Sequence, residues 1–287
     1  MLKLRALGLI SAFIPLISFV SIAQQVYISN EPKKSLQLLN MDGSLAQLTT
    51  LYTTAAKLDD LTLNAAGQLI YSMPTLNEVD LYDPNTGQNT KLTGAVKLAR
   101  DLAIEPGGQT MLIASYSPGS IYRYNFATGA LTLLASKLKT CDGIAYDPYG
   151  NLYAVANHNT IVQIDPTTGA VLNTLVLEPH SGINGGDGLT YDSYSGSLWA
   201  THDGATGVGV IQIPVTAAGL GSTFSLFLTP ALQKSGSAPD GIKSDGQGNL
   251  YIGAIWTVAV YNIPTNTITK NVVVKGADGV SLAPGTY

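Results

Sequence analysis

One cysteine in 287 residues, Cys141, leaves no intrachain disulfide to hold this chain, so its stability has to come from packing. Motifs of the common enzyme classes are missing as well. The three histidines and single cysteine have no zinc-ligand spacing, and there is no phosphate-cradling glycine loop, no Gly-x-Ser-x-Gly elbow and no His-Glu-x-x-His pair. Charge is scarce: 12% of residues are charged, against a usual value of about 25%. Net charge is −4 and the only adjacent basic pair is Lys33-Lys34, so the basic surface that nucleic acid requires is lacking. Asn-x-Ser/Thr sequons are absent too.

The one long apolar run spans Ala6 to Val20. It is shorter than the roughly 20 residues that span a bilayer, and Pro15 interrupts it. Lys3 and Arg5 precede it and Ser21-Ile22-Ala23 follows as a small-residue cleavage site, which is the layout of a secretory signal. Residues 1–23 are therefore expected to be a signal peptide. The mature chain then starts at Gln24 as a secreted monomer, periplasmic or extracellular, without a membrane anchor.

What fills the remainder is a repeat. Six segments align: DDLTLNAAGQLIYSM, RDLAIEPGGQTMLIAS, DGIAYDPYGNLYAVAN, DGLTYDSYSGSLWATH, DGIKSDGQGNLYIGAI and the truncated DGVSLAPG. They are led by Asp59, Arg100, Asp142, Asp187, Asp240 and Asp278, spaced 38 to 53 residues apart, a period typical of propeller blades. Within a unit the apolar runs are short and bounded by turns such as Asp147-Pro148-Tyr149-Gly150 and Asp165-Pro166-Thr167-Thr168-Gly169. Proline there fixes φ and glycine supplies the left-handed residue of a hairpin loop. Each unit thus reads as a four-stranded antiparallel meander, and residues 24–287 as an all-β, six-bladed β-propeller. The first blade has only three strands before Leu51, and Ala277 to Pro284 supplies its innermost fourth, so the C-terminal strand is expected to close the ring and hide two edges.

One face of the disc carries stereotyped turns and the other carries the variation: Glu178 to Gly186, Thr229 to Pro239, and His202 to Val208. His158, His180 and His202 all fall on the variable face, where function is usually built. His158, on the short Asn157 to Asn159 loop, is expected to matter least. The first residue of each inner strand starts on that same face. Asp59, Asp142, Asp187, Asp240 and Asp278 should therefore converge at the mouth of the central channel. Such a ring is relieved by a divalent cation on oxygen ligands, by protonation, by ion pairs to Arg100, or by the carboxylates turning onto their own backbone as Asx turns.

At these residues the chain resembles the senescence marker protein, gluconolactonase and luciferin-regenerating enzyme (regucalcin-like) family of six-bladed propellers, and more loosely NHL-repeat proteins. APDGIKSDGQGNLYIGAIW is similar to the family's Pro-Asp-Gly segment and GGDGLTYDSYSGSLWATHD to its Asn-Gly-Leu segment. The resemblance implies a divalent ion, Ca²⁺, Mg²⁺ or Zn²⁺, held by Asp59, Asp187 and Asp240, with Asp59 in place of the family's glutamate and Asp187 in place of its asparagine. It also maps the family's substrate-contacting arginine and asparagine onto Lys139 and Cys141; Lys139 keeps the charge without the planar fork, and Cys141 does not replace an amide.

Carried through, the resemblance implies a secreted, metal-dependent hydrolase of lactones or related esters. Asp187 and Asp240 would act as catalytic carboxylates, and Lys139, His180 and His202 would orient a small-molecule substrate. The competing reading is a non-catalytic secreted propeller that binds a ligand or protein partner through its loop-rich face.

Overall fold

A computed structural model describes residues 25–41, 46–177, 185–205, 207–236 and 238–284; the expected leader and His180 lie outside them. Six sheets stand around a ring, each an antiparallel meander. The inner strands are Leu61–Leu63, Ala99–Ile104, Cys141–Tyr146, Gly185–Asp192, Pro239–Ser244 and Ala277–Leu282. The last belongs to the first blade: Ala277–Leu282 pairs with Gln25–Asn30 in the register Val26↔Leu282, Tyr27↔Ser281 and Ile28↔Val280. The six-bladed architecture and its closure by the C-terminal strand are those read from the repeat. Among the described residues no helix is long and apolar enough to cross a membrane.

The tight turns account for the regularity. Asp147 at the first turn of its blade accepts hydrogen bonds from the backbone of Tyr149 and Asn151, both at 2.9 Å, and from the Asn151 amide at 2.8 Å. Its remaining capacity goes inward to the Tyr153 hydroxyl at 2.9 Å, so one carboxylate fixes the turn and satisfies a phenol buried in the core. Between blades, side chains of adjacent sheets interlock; Tyr153, Val155 and Leu175 of one sheet pack with Leu189, Leu198 and Ile211 of the next. Burial on both faces of most strands is why so few residues carry charge.

Two departures from the expected loops occur in the fifth blade, the first on the variable face and the second on the face of the tight turns. Thr229 to Pro239, expected as a plain loop, contains a short helix, Pro230–Ser235, with proline in its first turn and Gly236 at φ 69° ending it. Leu232 on this helix is fully buried with Trp199, Val210 and Ile242, so the segment is anchored. In the same blade Gly219–Leu220 folds back on Val215 and Thr216 as an extra hairpin. Its Leu220 backbone N–H donates to Gln163 Oε1 of the preceding blade at 3.0 Å.

The closing seam has its own polar latch. Ser29 Oγ accepts from Gly279 N at 2.7 Å and donates to the carbonyl of Asp59, joining the C-terminal strand, its partner strand and the next blade at a fully buried point. Ending the chain after Ala277 removes buried Val280 and Leu282 as well as this latch, and is expected to abolish cooperative unfolding or lower Tm by at least about 10 °C, given several kcal/mol of lost core. Ser29→Ala, a milder probe, is expected to cost about 1–3 kcal/mol in urea denaturation. A truncated chain melting with the full-length one would refute the closure.

Candidate functional site at the channel mouth

The ring of leading residues is made by a backbone irregularity repeated around the disc. In the inner strands the pairing register slips between Ala99 and Leu102, Cys141 and Ile144, Gly185 and Leu189, and Pro239 and Ile242, and again over Ala277 to Val280. A bulge of this kind leaves residues without a partner opposite and re-aims a side chain. Here those residues are Arg100-Asp101, Asp142-Gly143, Asp187-Gly188, Asp240-Gly241 and Asp278-Gly279. The glycines are needed for space. A Cβ on Gly143, Gly188 or Gly241 would stand within 2.7 Å of the backbone of the next inner strand.

Bulges and close approach together bring the acids to the axis. Asp59, Asp142, Asp187 and Asp240 surround Arg100, which joins Asp59 Oδ2 through Nη1 at 2.6 Å. Asp278 and Asp240 share a hydrogen bond, which requires a proton on one of them. Burial pushes Asp142 up to about 7, with Asp240 adding to it and Arg100 opposing. It pushes Asp187 to about 8, reinforced by Asp240 and Asp142. Burial works against the charge of Arg100, but Asp59, Asp142, Asp187 and Asp240 outweigh it and hold its pKa above the ordinary value.

Directly beneath lies a second charged layer that the repeat alignment did not reveal. Where four blades carry the glycine, two carry aspartate: Asp60 and Asp101. Lys243 reaches across the channel from the sixth blade to Asp60 Oδ2 at 3.4 Å and Asp101 Oδ1 at 3.5 Å. Asp101 Oδ2 also accepts from the backbone of Ile144 in the next blade at 2.6 Å. Its signal was the weak match itself, Asp-Asp and Arg-Asp where the other copies read Asp-Gly. These three residues plug the channel below the ring.

The two described histidines stand in different surroundings. His202 ends the strand Ser197–His202 and is fully buried. Lys139 is exposed and lines none of the cavities at the ring. His158, expected to matter least, stands beside the ring with Nδ1 4.0 Å from Asp142 Oδ2 and Nε2 3.2 Å from the Tyr116 hydroxyl. It and Asn157 have left-handed backbones, φ 61° and 51°, conformations that non-glycine residues hold only when context imposes them. Tyr116 in turn lies under the Arg100 guanidinium, 5.1 Å from ring centroid to Cζ. Asp142 is the residue all this surrounds: its side chain is 2% exposed and neither carboxylate oxygen has a hydrogen-bond partner. It is therefore not tied into an Asx turn. Cys141 is buried among Leu138, Ala156 and Ile144, a small apolar residue in the wall.

On the opposite side of Arg100 a cleft of about 550 Å³ opens to the surface between the first and sixth blades. Its floor holds Asp59, Arg100, Asp240 and Asp278, and Trp256, 44% exposed, forms a wall with Lys275 6.0 Å above its ring. As to a divalent ion at Asp59, Asp187 and Asp240, all three reach the ring, but Asp59 is engaged by Arg100 and Asp240 by Asp278. Among the described residues no three His, Cys, Asp or Glu side chains converge as a ligand set. The donor set as arranged does not fit the ion.

A carboxyl with a higher pKa folded than unfolded holds its proton more tightly in the native state. Its stabilising contribution is full below the unfolded value of about 3.9 and is lost as pH rises through the folded value. For Asp142 and Asp187 that loss extends to pH 7–8. Tm is therefore expected to fall between pH 5 and 8.5, the reverse of a protein held by ionised carboxylates, and Asp142→Asn should flatten the slope and raise Tm at pH 8.5. A Tm that rises over this interval, or a variant with the wild-type slope, would show that the ring does not carry this strain.

No family model and no curated protein matches the sequence. Solved structures do match in fold. A chain of the nidogen/laminin complex is 17% identical, covers 91% of this chain and 98% of its own, and superposes with a TM-score of 0.73. Virginiamycin B lyase from Staphylococcus aureus is 17% identical over 90% of this chain and 87% of its own, with a TM-score of 0.63. Regucalcin from Agrobacterium tumefaciens, described as a calcium-binding protein, is 16% identical over 77% and 76%, with a TM-score of 0.60. At such identities the likeness is one of fold, and this chain shares its six-bladed propeller with proteins that include a regucalcin, a lyase and a component of a protein–protein complex.

Proposed function

We propose that the mature, exported chain hydrolyses a small lactone or related ester at the channel mouth. The observation that carries this reading is Asp142, buried with both oxygens unpartnered beside the half-exposed imidazole of His158. A buried carboxylate 4.0 Å from one ring nitrogen, too far for a hydrogen bond, favours the charged form of an imidazole through space, which suits it to accept a proton. Arg100 stands on the other side of Tyr116 with its side chain 32% exposed at the cleft floor. A fixed cation there is suited to the oxygen of a reacting carbonyl.

In this reaction His158 accepts a proton from water at Nε2, the position now paired with Tyr116, and hydroxide adds to the carbonyl carbon. Arg100 stabilises the resulting oxyanion. The C–O bond to the leaving oxygen then breaks, and His158 returns its proton to that alkoxide, giving the hydroxy acid or the acid and alcohol. The roles that the family resemblance gave to Asp187, Asp240 and the ion are not needed for these steps. Asp187 and Asp240 instead hold the charge balance of the ring.

A binding module without turnover is the second reading, favoured by the exposed Trp256 wall that stands beside the charged floor. The two are separated by one set of measurements on a lactone and ester panel. His158→Gln and Asp142→Asn are expected to lower kcat about 10²–10³-fold with little change in KM. Trp199 is fully buried, so ligand entry is read from the fluorescence of Trp256. Saturable quenching with no turnover above background, identical in wild type and both variants, would leave the binding reading in place of the hydrolase.

A further inference from the structure

The family resemblance puts a divalent ion at the centre of this ring, and the ring already contains a cation. We propose that Arg100 is the resident cation of the channel mouth, so that the protein works without a divalent ion at Asp59, Asp187 and Asp240, and that removing Arg100 turns the mouth into a divalent-cation site.

Four observations carry this. First, the repeat places a side chain at one equivalent position at the start of every inner strand, and five of the six are aspartate while one is arginine. Arg100 is therefore aimed at the axis by the same backbone device as the acids. Second, its guanidinium is not spent on one partner; it bonds Asp59 at 2.6 Å and lies within electrostatic reach of Asp142, Asp187 and Asp240. Third, Asp240 and Asp278 line the same cleft floor as Arg100 and Asp59, so the guanidinium stands among the carboxylates that a divalent ion would need. Fourth, unsatisfied groups remain around it: Arg100 Nε and both oxygens of Asp142 are buried without partners, and Asp60 Oδ1 faces the same small cavity. These oxygens are what a hard cation of small radius would take up if the guanidinium were gone. A bound ion and Arg100 would compete for the same carboxylates, and like charges so close disfavour one another.

The inference does not depend on hydrolysis, and its test needs no substrate. Wild type, Arg100→Lys and Arg100→Gln are compared by metal content after dialysis against CaCl2 and by thermal unfolding at pH 8 with CaCl2 or with chelator. Wild type is expected to retain less than about 0.1 Ca²⁺ per chain and to melt within about 1 °C in the two conditions, since a ligand that does not bind the native state cannot shift Tm. Arg100→Lys, which keeps the charge, should behave the same way. Arg100→Gln is expected to melt lower in chelator and to regain at least about 5 °C at a hundredfold excess of Ca²⁺ over its Kd. Stoichiometric Ca²⁺ in wild type would overturn the proposal. So would a Tm that responds to Ca²⁺ in wild type as strongly as in the variant, or an Arg100→Gln protein, folded by circular dichroism, that ignores the ion. If Arg100→Gln does not fold in chelator, recovery of its folded spectrum on adding Ca²⁺ supports the proposal, and failure to recover counts against it.

Discussion

The close approach of neighbouring inner strands around the axis is the constraint from which the rest follows. Gly143, Gly188, Gly241 and Gly279 leave no room for a Cβ because the next backbone stands there. The strands that carry these glycines bulge at the same step, and the bulge turns the preceding side chain into the mouth. Aspartate at those positions then becomes an electrostatic liability, since burial penalises each charge and proximity penalises each pair. The features that distinguish this mouth can be read as responses to that penalty: one guanidinium in the ring, a shared proton between Asp240 and Asp278, raised pKa values at Asp142 and Asp187, and a lysine plug below.

Much of the architecture was legible because its determinants are local. A turn such as Asp147 to Asn151 is specified by its own four or five residues, and the repeated spacing of such turns specifies blades. Closure was legible for the same reason, as a missing strand at one end and an unpaired one at the other. The helix Pro230–Ser235 escaped because six residues are too few for a periodic pattern, although its proline start and Gly236 stop stand in the sequence.

The site was legible only in outline. The five acids and Arg100 could be gathered from the repeat, yet which of them carries unsatisfied oxygens depends on neighbours contributed by other blades. For the two described histidines, loop length does not tell which imidazole stands beside the ring. His202 precedes a long loop, but it is the last residue of a strand and faces the packed interior. His158 sits in a short turn, and its left-handed backbone is what projects the ring toward Asp142. Asp60, Asp101 and Lys243 were hidden because aligning the copies on Asp-Gly treats every departure from glycine as a weaker match, whereas here the departures form the layer.

What sets this mouth apart from a uniform ring of acids is broken symmetry. Six equivalent aspartates would have to share protons or bind an external ion, and no position would differ in kind from another. Substituting arginine at one position makes the two flanking positions unlike the remainder: Asp59 becomes an ion-pair partner, while Asp142 lies near the same cation without bonding to it. That aspartate, pushed up to about 7 and with an imidazole 4.0 Å away, is set apart by its surroundings from Asp240 and Asp278 across the channel. The different surroundings of the acids thus arise from a single change of side chain at a position that recurs in every blade.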